Sequence, residues 1–143
     1  MKSVKKIITS FFLVGIFLFS TETNAQQDVQ ARQCIGNFIE GVTKGNQVKF
    51  NMSLQKNATF KFVDAKTNEF KSQVLTFDLL KRKVTNPEGF KVNLMGVDVS
   101  GTTAQAKVTY DYVDRKLVDY FNLLKIKGEW KIVDVICATE IIK

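Results

Sequence analysis

In the segment from Thr103 to Val113, polar and apolar residues alternate from Thr103 to Tyr112, and this pattern constrains the fold more than any other feature of the chain. Polar residues such as Lys107 and Thr109 occupy one face. The other face carries only apolar or aromatic side chains, namely Ala104, Ala106, Val108, Tyr110 and Tyr112. A period of two residues is that of a β-strand with one buried face. The sequence therefore predicts a half-buried antiparallel strand here.

Further strands are predicted on both sides of this one. In the strand that starts near Phe90, the buried phase changes at Leu94-Met95-Gly96, which is what a β-bulge does. The segments Leu117–Ile126 and Trp130–Ile142 are apolar on both faces and are joined by a tight turn at 127–129. Strands that are apolar on both faces need cover on both sides. We therefore expect helices on one face of the sheet and a second subunit, in a homodimer, on the other.

Helices and a hairpin precede this meander. Apolar residues recur every three or four positions from Val29 to Val42, which predicts an amphipathic helix. The segments 59–63 and 69–73 are predicted to pair as a β-hairpin, and Thr76 is placed to cap a second helix. The pattern of residues 47–57 fits a helix and a strand equally well.

This order of elements predicts one α+β domain over residues 26–143, with N-terminal helices on one side of a bent antiparallel sheet. A chain of 143 residues is of a suitable length for a single domain. A bent sheet wrapped around helices forms a cone, and the interior of a cone is where a small ligand binds.

Residues 1–25 have the three parts of a secretory signal peptide. Three lysines precede an apolar run from Ile7 to Phe19, and small residues follow at Thr23-Asn24-Ala25. The apolar run is shorter than the roughly 20 residues that span a bilayer. We expect cleavage after Ala25, a periplasmic or secreted product, and no stable membrane anchor after cleavage.

Composition excludes several classes of function. The chain contains no His, so no imidazole is available as a base, a nucleophile or a metal ligand, and we expect neither a metal site nor a cofactor. Its net charge is +7, but the basic residues are scattered except at Lys81-Arg82-Lys83. That run suits the last turn of a helix better than a nucleic-acid contact, so we expect no nucleic-acid partner.

The two cysteines, Cys34 and Cys137, leave two alternatives open. Export would permit a disulfide between them. Both also lie in apolar patterns, one on a helix face and one in a strand, where buried free thiols are common. Their spacing fits no metal motif.

The stretch from Asp119 to Val133 resembles the C-terminal hairpin of the "Putative lumazine-binding" family, in the nuclear-transport-factor-like superfamily that includes ketosteroid isomerases and polyketide cyclases. The segments 106–110 and 62–66 occur in the order that family uses, and the resemblance covers roughly residues 28–143. It implies a curved, cystatin-like sheet around helices, a pocket in the cone, and frequently a homodimer through the outer sheet face. It implies little about activity, because a fold does not determine a function.

Four residues on the late strands are candidates for lining a binding pocket: Tyr110, Tyr112, Asn122 and Trp130. Amphipathic aromatic residues offer contact area together with a polar group. Asn122 lies between apolar residues and must find a hydrogen-bond partner if it is buried. The alternative for all four is a place in the core or in a dimer interface.

An isomerase or dehydratase would need a desolvated carboxylate as base and a hydroxyl as donor. Candidate bases are Asp119, Asp134 and Asp111, and candidate donors are Tyr110, Tyr112 and Tyr120. Asp119 and Asp134 share strand parity with apolar neighbours, although a surface position at a strand end or bulge, paired with Arg115 or Lys131, is the simpler interpretation. A third alternative is a protein-interaction module that uses the exposed sheet face. The sequence favours an exported domain that binds a small apolar or aromatic molecule.

Overall fold

The computed structural model describes residues 23–81 and 90–142. Most of the predicted signal peptide, and the basic residues Arg82 and Lys83, lie outside the described residues. The helices are α1 (Asn24–Lys44), α2 (Gln47–Ser53) and α3 (Phe77–Lys81). The strands are β1 (Leu54–Val63), β2 (Phe70–Val74), β3 (Lys91–Ser100), β4 (Thr103–Asp111), β5 (Arg115–Ile126) and β6 (Glu129–Ile141).

The strands form one curved, unclosed sheet in the order β2-β1-β6-β5-β4-β3. The predicted meander from β3 to β6 and the predicted hairpin of β1 and β2 are both present and antiparallel. The hairpin joins the sheet through β1, which runs parallel to β6. The predicted α+β architecture is therefore confirmed, with one parallel pairing, between β1 and β6, that local alternation does not reveal.

Two irregularities set which residues face inward. The register shift between Leu94 and Gly96 confirms the bulge predicted in β3. A second shift lies between Asn122 and Leu123, where β5 pairs with β6. Because of it, Asp134 stands opposite Asn122 and lies on the face of the sheet away from the buried Ile132. Simple alternation along β6 does not reveal this change of face.

Helix α1 packs its predicted apolar face on the inner face of the sheet, with Ala31, Ile35 and Phe38 almost fully buried. The Phe38 ring lies 5.0 Å from that of Phe121 on β5, in an edge-to-face contact, and 5.4 Å from that of Phe50 on α2. Burying one such side chain contributes about 1.5–3 kcal/mol, and each aromatic pair adds about 0.5–1.5 kcal/mol. This cluster holds helices and sheet together.

The ambiguous segment 47–57 divides into a helix and a strand. Gly45 ends α1 in the left-handed conformation, at a φ of 68°, and the side chain of Asn46 caps α2 by accepting a hydrogen bond from the backbone N–H of Lys49. The chain then extends from Leu54 into β1. Within the described part of the chain, no helix is long and apolar enough to cross a membrane.

Gly41 permits the close approach of α1 and α2. A Cβ atom at this position would lie 2.7 Å from both the backbone nitrogen and the Cβ of Phe50. Gly36, on the same helix, has no such neighbour within 4 Å. The absence of a side chain therefore matters at Gly41 and not at Gly36.

We expect Gly41→Ala to lower the free energy of unfolding by about 1–3 kcal/mol, because the added methyl group pushes α2 away from α1. Gly36→Ala is the matched control, and we expect it to raise stability by about 0.5–1 kcal/mol through helix propensity. Urea unfolding followed by circular dichroism measures both. Equal effects of the two substitutions would contradict the packing described here.

Candidate functional site

A cavity of about 760 Å³ lies between α1, the β1–β2 hairpin and the inner face of β4, β5 and β6. Its volume is within the range of small-molecule sites, about 300–1,000 Å³. Most of the wall is apolar or aromatic, and the side chains that form it include Phe38, Val42, Phe60, Phe62, Leu80 and Leu117. Such a wall suits an apolar or aromatic molecule.

One wall of the cavity carries a group of polar side chains. Tyr110 occupies an inward position on β4, Tyr112 follows directly after the last residue of that strand, and Asp119 and Cys137 are directly paired across β5 and β6. Tyr110 pairs with Leu117, so Asp119 is its diagonal neighbour on the next strand. Strand alternation and register together therefore place a carboxylate, two phenols and a thiol side by side.

Tyr110 and Asp119 form a buried pair. They are 4% and 8% exposed, and the Tyr110 hydroxyl is hydrogen-bonded to the Asp119 carboxylate. Burial raises the pKa of Tyr110 well above its ordinary value, and the negative charge of Asp119 raises it further. The phenol therefore keeps its proton at neutral pH and stabilises a carboxylate that would otherwise be costly to bury.

Tyr112 is held differently. Its ring lies 4.9 Å from that of Phe90 and 4.5 Å from the guanidinium of Arg115. Burial raises the pKa of Tyr112, Arg115 opposes this, and Asp119 adds to it. Among the described residues, the buried Tyr112 hydroxyl has no hydrogen-bond partner. Leaving a buried hydroxyl unsatisfied costs about 1–3 kcal/mol, so a ligand atom that accepts a hydrogen bond from Tyr112 would gain binding free energy.

Two further charged residues line the cavity. Arg115 bonds to the carboxylate of its neighbour Asp114 at 3.3 Å. Asp64, in the hairpin turn, accepts hydrogen bonds from the backbone N–H groups of Lys66 and Thr67, and these bonds hold its pKa below the ordinary value. Asp64 is therefore already engaged by its own turn.

The structure brings only some of the predicted site residues to this cavity. Tyr110, Tyr112 and Asp119 line it, whereas Asn122 and Asp134 lie on the outer face of the sheet. Trp130 is 5% exposed and lies beside a separate shallow depression with Gln30 and Cys34.

Asn122 and Asp134 belong to a polar network on the outer face. Asn122 accepts a hydrogen bond from Gln105 at 3.0 Å and donates one to Asp134 at 3.3 Å. Asp134 also accepts from the Thr59 hydroxyl at 3.0 Å and pairs with Lys61 at 3.1 Å. Neighbouring strands of the sheet thus supply the hydrogen-bond partners that a buried Asn122 requires.

The remaining candidates, Asp111 and Tyr120, also lie away from the cavity. Asp111 accepts a hydrogen bond from Asn93 at 3.0 Å, at the surface. Tyr120 is 47% exposed, and the ammonium group of Lys107 lies 5.5 Å from its ring centre.

Phe60, Phe62 and Arg115 line the cavity although the sequence pattern did not identify them as site residues. The alternation of Phe60 and Phe62 was visible, but the parallel pairing that brings Phe62 level with Cys137 was not. No sequence pattern around Arg115 indicates a place at the cavity, where its guanidinium lies 4.5 Å from the ring centre of Tyr112.

Cys34 and Cys137 are both free thiols in the structure, so the structure contains no disulfide between them. Cys34 is 6% exposed and donates a weak hydrogen bond to the carbonyl of Ser53, with sulfur and oxygen 3.4 Å apart. Burial raises the pKa of the Cys34 thiol from 9.0 to about 11, although Lys131 opposes the shift. Within the described ranges, no cluster of three or more Cys, Asp or Glu residues could hold a metal ion.

A family model described as "Putative lumazine-binding" matches residues 26–136. No curated protein matches the chain. An NTF2-like protein of unknown function from Shewanella baltica is 24% identical, with a TM-score of 0.74, and the match covers 83% of this chain and 98% of that one.

Two further solved structures have the same fold. One, an NTF2-like protein of unknown function from Methylobacillus flagellatus, is 20% identical over 83% of this chain and 96% of that one, with a TM-score of 0.68. The other, a "putative ketosteroid isomerase" from Shewanella frigidimarina, is 17% identical over 76% of this chain and 94% of that one, with a TM-score of 0.57. At such identities the likeness shows the fold alone.

The raised pKa of Cys34 predicts a loss of stability at alkaline pH. The thiol releases its proton near pH 9.0 in the unfolded chain but only near pH 11 in the folded protein. The free energy of unfolding therefore falls by about 3 kcal/mol as the pH rises from 9.0 to about 11. Cys34→Ala should remove this part of the pH dependence, and Cys137→Ala should retain it. Urea unfolding at several pH values measures the difference. Identical pH profiles for wild type and Cys34→Ala would contradict the assignment.

Proposed function

Since the chain belongs to the "Putative lumazine-binding" family and has the NTF2-like fold, we propose that it binds a small apolar or aromatic molecule inside the cone. The observation that carries this proposal is the cavity of about 760 Å³ with aromatic walls and a small polar group on one side. Sites of this kind obtain affinity from apolar contact and orientation from a few polar atoms.

The walls supply the affinity. Phe60 and Phe62 lie with ring centres 5.6 Å apart on β1, and Phe38 lines the cavity from α1. Each Å² of apolar surface that a ligand buries here is worth about 25 cal/mol. Aromatic pairs add about 0.5–1.5 kcal/mol each when the geometry is favourable.

The isomerase alternative finds its candidate residues in the same cavity, since Asp119 and Tyr110 both line it. However, the Tyr110 hydroxyl is bonded to the Asp119 carboxylate. A donor that serves the base is not available to a developing oxyanion, which requires its own preorganised donors. Tyr110 is therefore not the donor, and the isomerase alternative would have to use the Tyr112 hydroxyl instead, which has no partner among the described residues.

Export and assembly complete the proposal. The three-part pattern of residues 1–25 supports export to the periplasm or the exterior. On the outer face of the sheet, Tyr120, Leu124 and Ile136 are 39–47% exposed. An apolar patch of this kind supports a homodimer through that face, and the same patch would serve the protein-interaction alternative.

The ligand proposal is tested by thermal unfolding with naphthalene, indole and lumazine. At one hundred times its Kd, a ligand stabilises the fold by about 2.7 kcal/mol, which raises Tm by roughly 10 °C. Phe62→Ala should weaken binding at least tenfold, by removing an aromatic wall. Phe70→Ala, on the exposed part of β2 and outside the cavity, is the matched control and should bind as wild type does.

Absence of any shift with all three compounds would count against the binding proposal. So would equal losses in Phe62→Ala and Phe70→Ala, because the ligand would then bind elsewhere.

Native mass spectrometry of the chain produced in an exporting host tests processing and assembly together. We expect a mature chain that begins at Gln26 and forms a dimer. Tyr120→Lys should shift the dimer to monomer, by placing a second cation near Lys107 on an apolar face. Val29→Lys, on an exposed position of α1, should leave it intact. An uncleaved chain would refute the signal peptide, and a monomeric wild type would refute the dimer.

A further inference from the structure

The depression beside Trp130 is a separate site from the cavity inside the cone. It has a volume of about 220 Å³, lies between α1, the end of α2 and the turn from β5 to β6, and shares no described residue with the cone cavity. Gln30, Gln33 and Asn37 recur every three or four positions along α1, so their amides lie on one face of the helix. The depression is therefore lined by a row of amides opposite Trp130.

Two hydrogen bonds fix the walls of this depression. The Cys34 thiol, on α1, donates to the carbonyl of Ser53, with sulfur and oxygen 3.4 Å apart. The Lys131 ammonium group, on β6, donates to the carbonyl of Met52 at 2.6 Å. These contacts tie α1 and β6 to the end of α2, so the depression is preformed, as small-molecule sites usually are.

The charges in the depression balance. Among its described lining residues, the charged ones are Glu129 and Lys131, and their carboxylate and ammonium groups lie 3.1 Å apart. Neither an anion nor a cation therefore finds an uncompensated opposite charge there. This balance favours a neutral ligand.

Two buried polar atoms in the depression lack partners. Trp130 is 5% exposed, and among the described residues its indole Nε1–H has no acceptor. The buried Oε1 atom of Gln30 has no donor among the same residues. An indole N–H can only donate and an amide oxygen can only accept. A ligand that satisfies both atoms must therefore offer an acceptor and a donor.

Hydroxyl groups meet this requirement best. Each hydroxyl both donates and accepts, so neighbouring hydroxyls can serve the two atoms at any spacing, whereas a primary amide offers its donor and acceptor at one fixed spacing. The amides of Gln33 and Asn37 supply donors and acceptors for further hydroxyls. The small volume limits the ligand to a single ring.

We propose that this depression binds a neutral polyhydroxylated ring, a monosaccharide or a cyclic polyol, whose hydroxyls accept from Trp130 and donate to Gln30. This second site is independent of the apolar-ligand function proposed for the cone.

Trp130 is the only tryptophan of the chain, so its indole N–H gives a single side-chain signal in the NMR spectrum of ¹⁵N-labelled protein. We titrate D-glucose, D-galactose and myo-inositol, with acetamide and sodium acetate as probes of the amide and anion classes. We expect a saturable shift of the indole signal with at least one polyol. Its affinity should exceed those of acetamide and acetate by about tenfold or more, because only the polyol satisfies both buried atoms.

Gln30→Met tests the assignment, because it keeps the length of the side chain and removes its acceptor. We expect it to weaken polyol binding by about fivefold or more. Gln73→Met, the same substitution at an exposed position of β2, is the matched control and should bind as wild type does. The remaining ¹⁵N signals show that each variant is folded.

Three outcomes would overturn the inference. Absence of a saturable shift with all three polyols would mean that only water occupies the depression. An affinity for acetamide equal to that for the polyols would refute the hydroxyl class. Equal polyol affinities of Gln30→Met and Gln73→Met would place the ligand elsewhere. Because the two sites share no described residue, none of these results affects the function proposed for the cone cavity.

Discussion

The contact between Phe38 of α1 and Phe121 of β5, with ring centres 5.0 Å apart, is the interaction on which the rest of the structure depends. Towards one end of β5, Phe121 and Leu123 are fully buried beneath the helices. Towards the other end, Leu117 and Asp119 line the cavity. Phe38 therefore marks the boundary between a packed core and an enclosed space. The same helix that stabilises the sheet also leaves the cavity open, because it covers only part of the inner face.

Polar side chains line the cavity at positions on the inner face of the sheet where a packed core would have apolar ones. A buried carboxylate and a buried phenol hydroxyl both lower stability unless they find partners. Tyr110 satisfies Asp119, but the Tyr112 hydroxyl is left without a partner among the described residues. Buried polar groups that lower stability are concentrated at functional sites. Their position in the cavity is a stronger argument for binding than its volume alone.

On the outer face of the sheet, polar side chains form hydrogen bonds with one another. Gln105, Asn122, Asp134 and Thr59 form a continuous chain of hydrogen bonds across β4, β5, β6 and β1. This network links strands that are distant in sequence, and it needs no ligand. Apolar residues with considerable exposure, including Tyr120 and Ile136, flank it. The two faces of one sheet thus differ in kind: the inner face has an unsatisfied donor and the outer face has uncovered apolar surface.

The sequence by itself determined the elements outside the ambiguous segment 47–57 and the inward-facing side of β4, because the periodicity within one segment is a local property. It therefore placed Tyr110 and Tyr112 on the inner face and located the bulge near Leu94. Only the tertiary structure decided that Asp134 faces outward and that Phe62 stands level with Cys137. Both depend on register between strands, one through a bulge and one through a parallel pairing distant in sequence. Register is selected by packing of the whole sheet against α1, and no periodicity within a single segment encodes it.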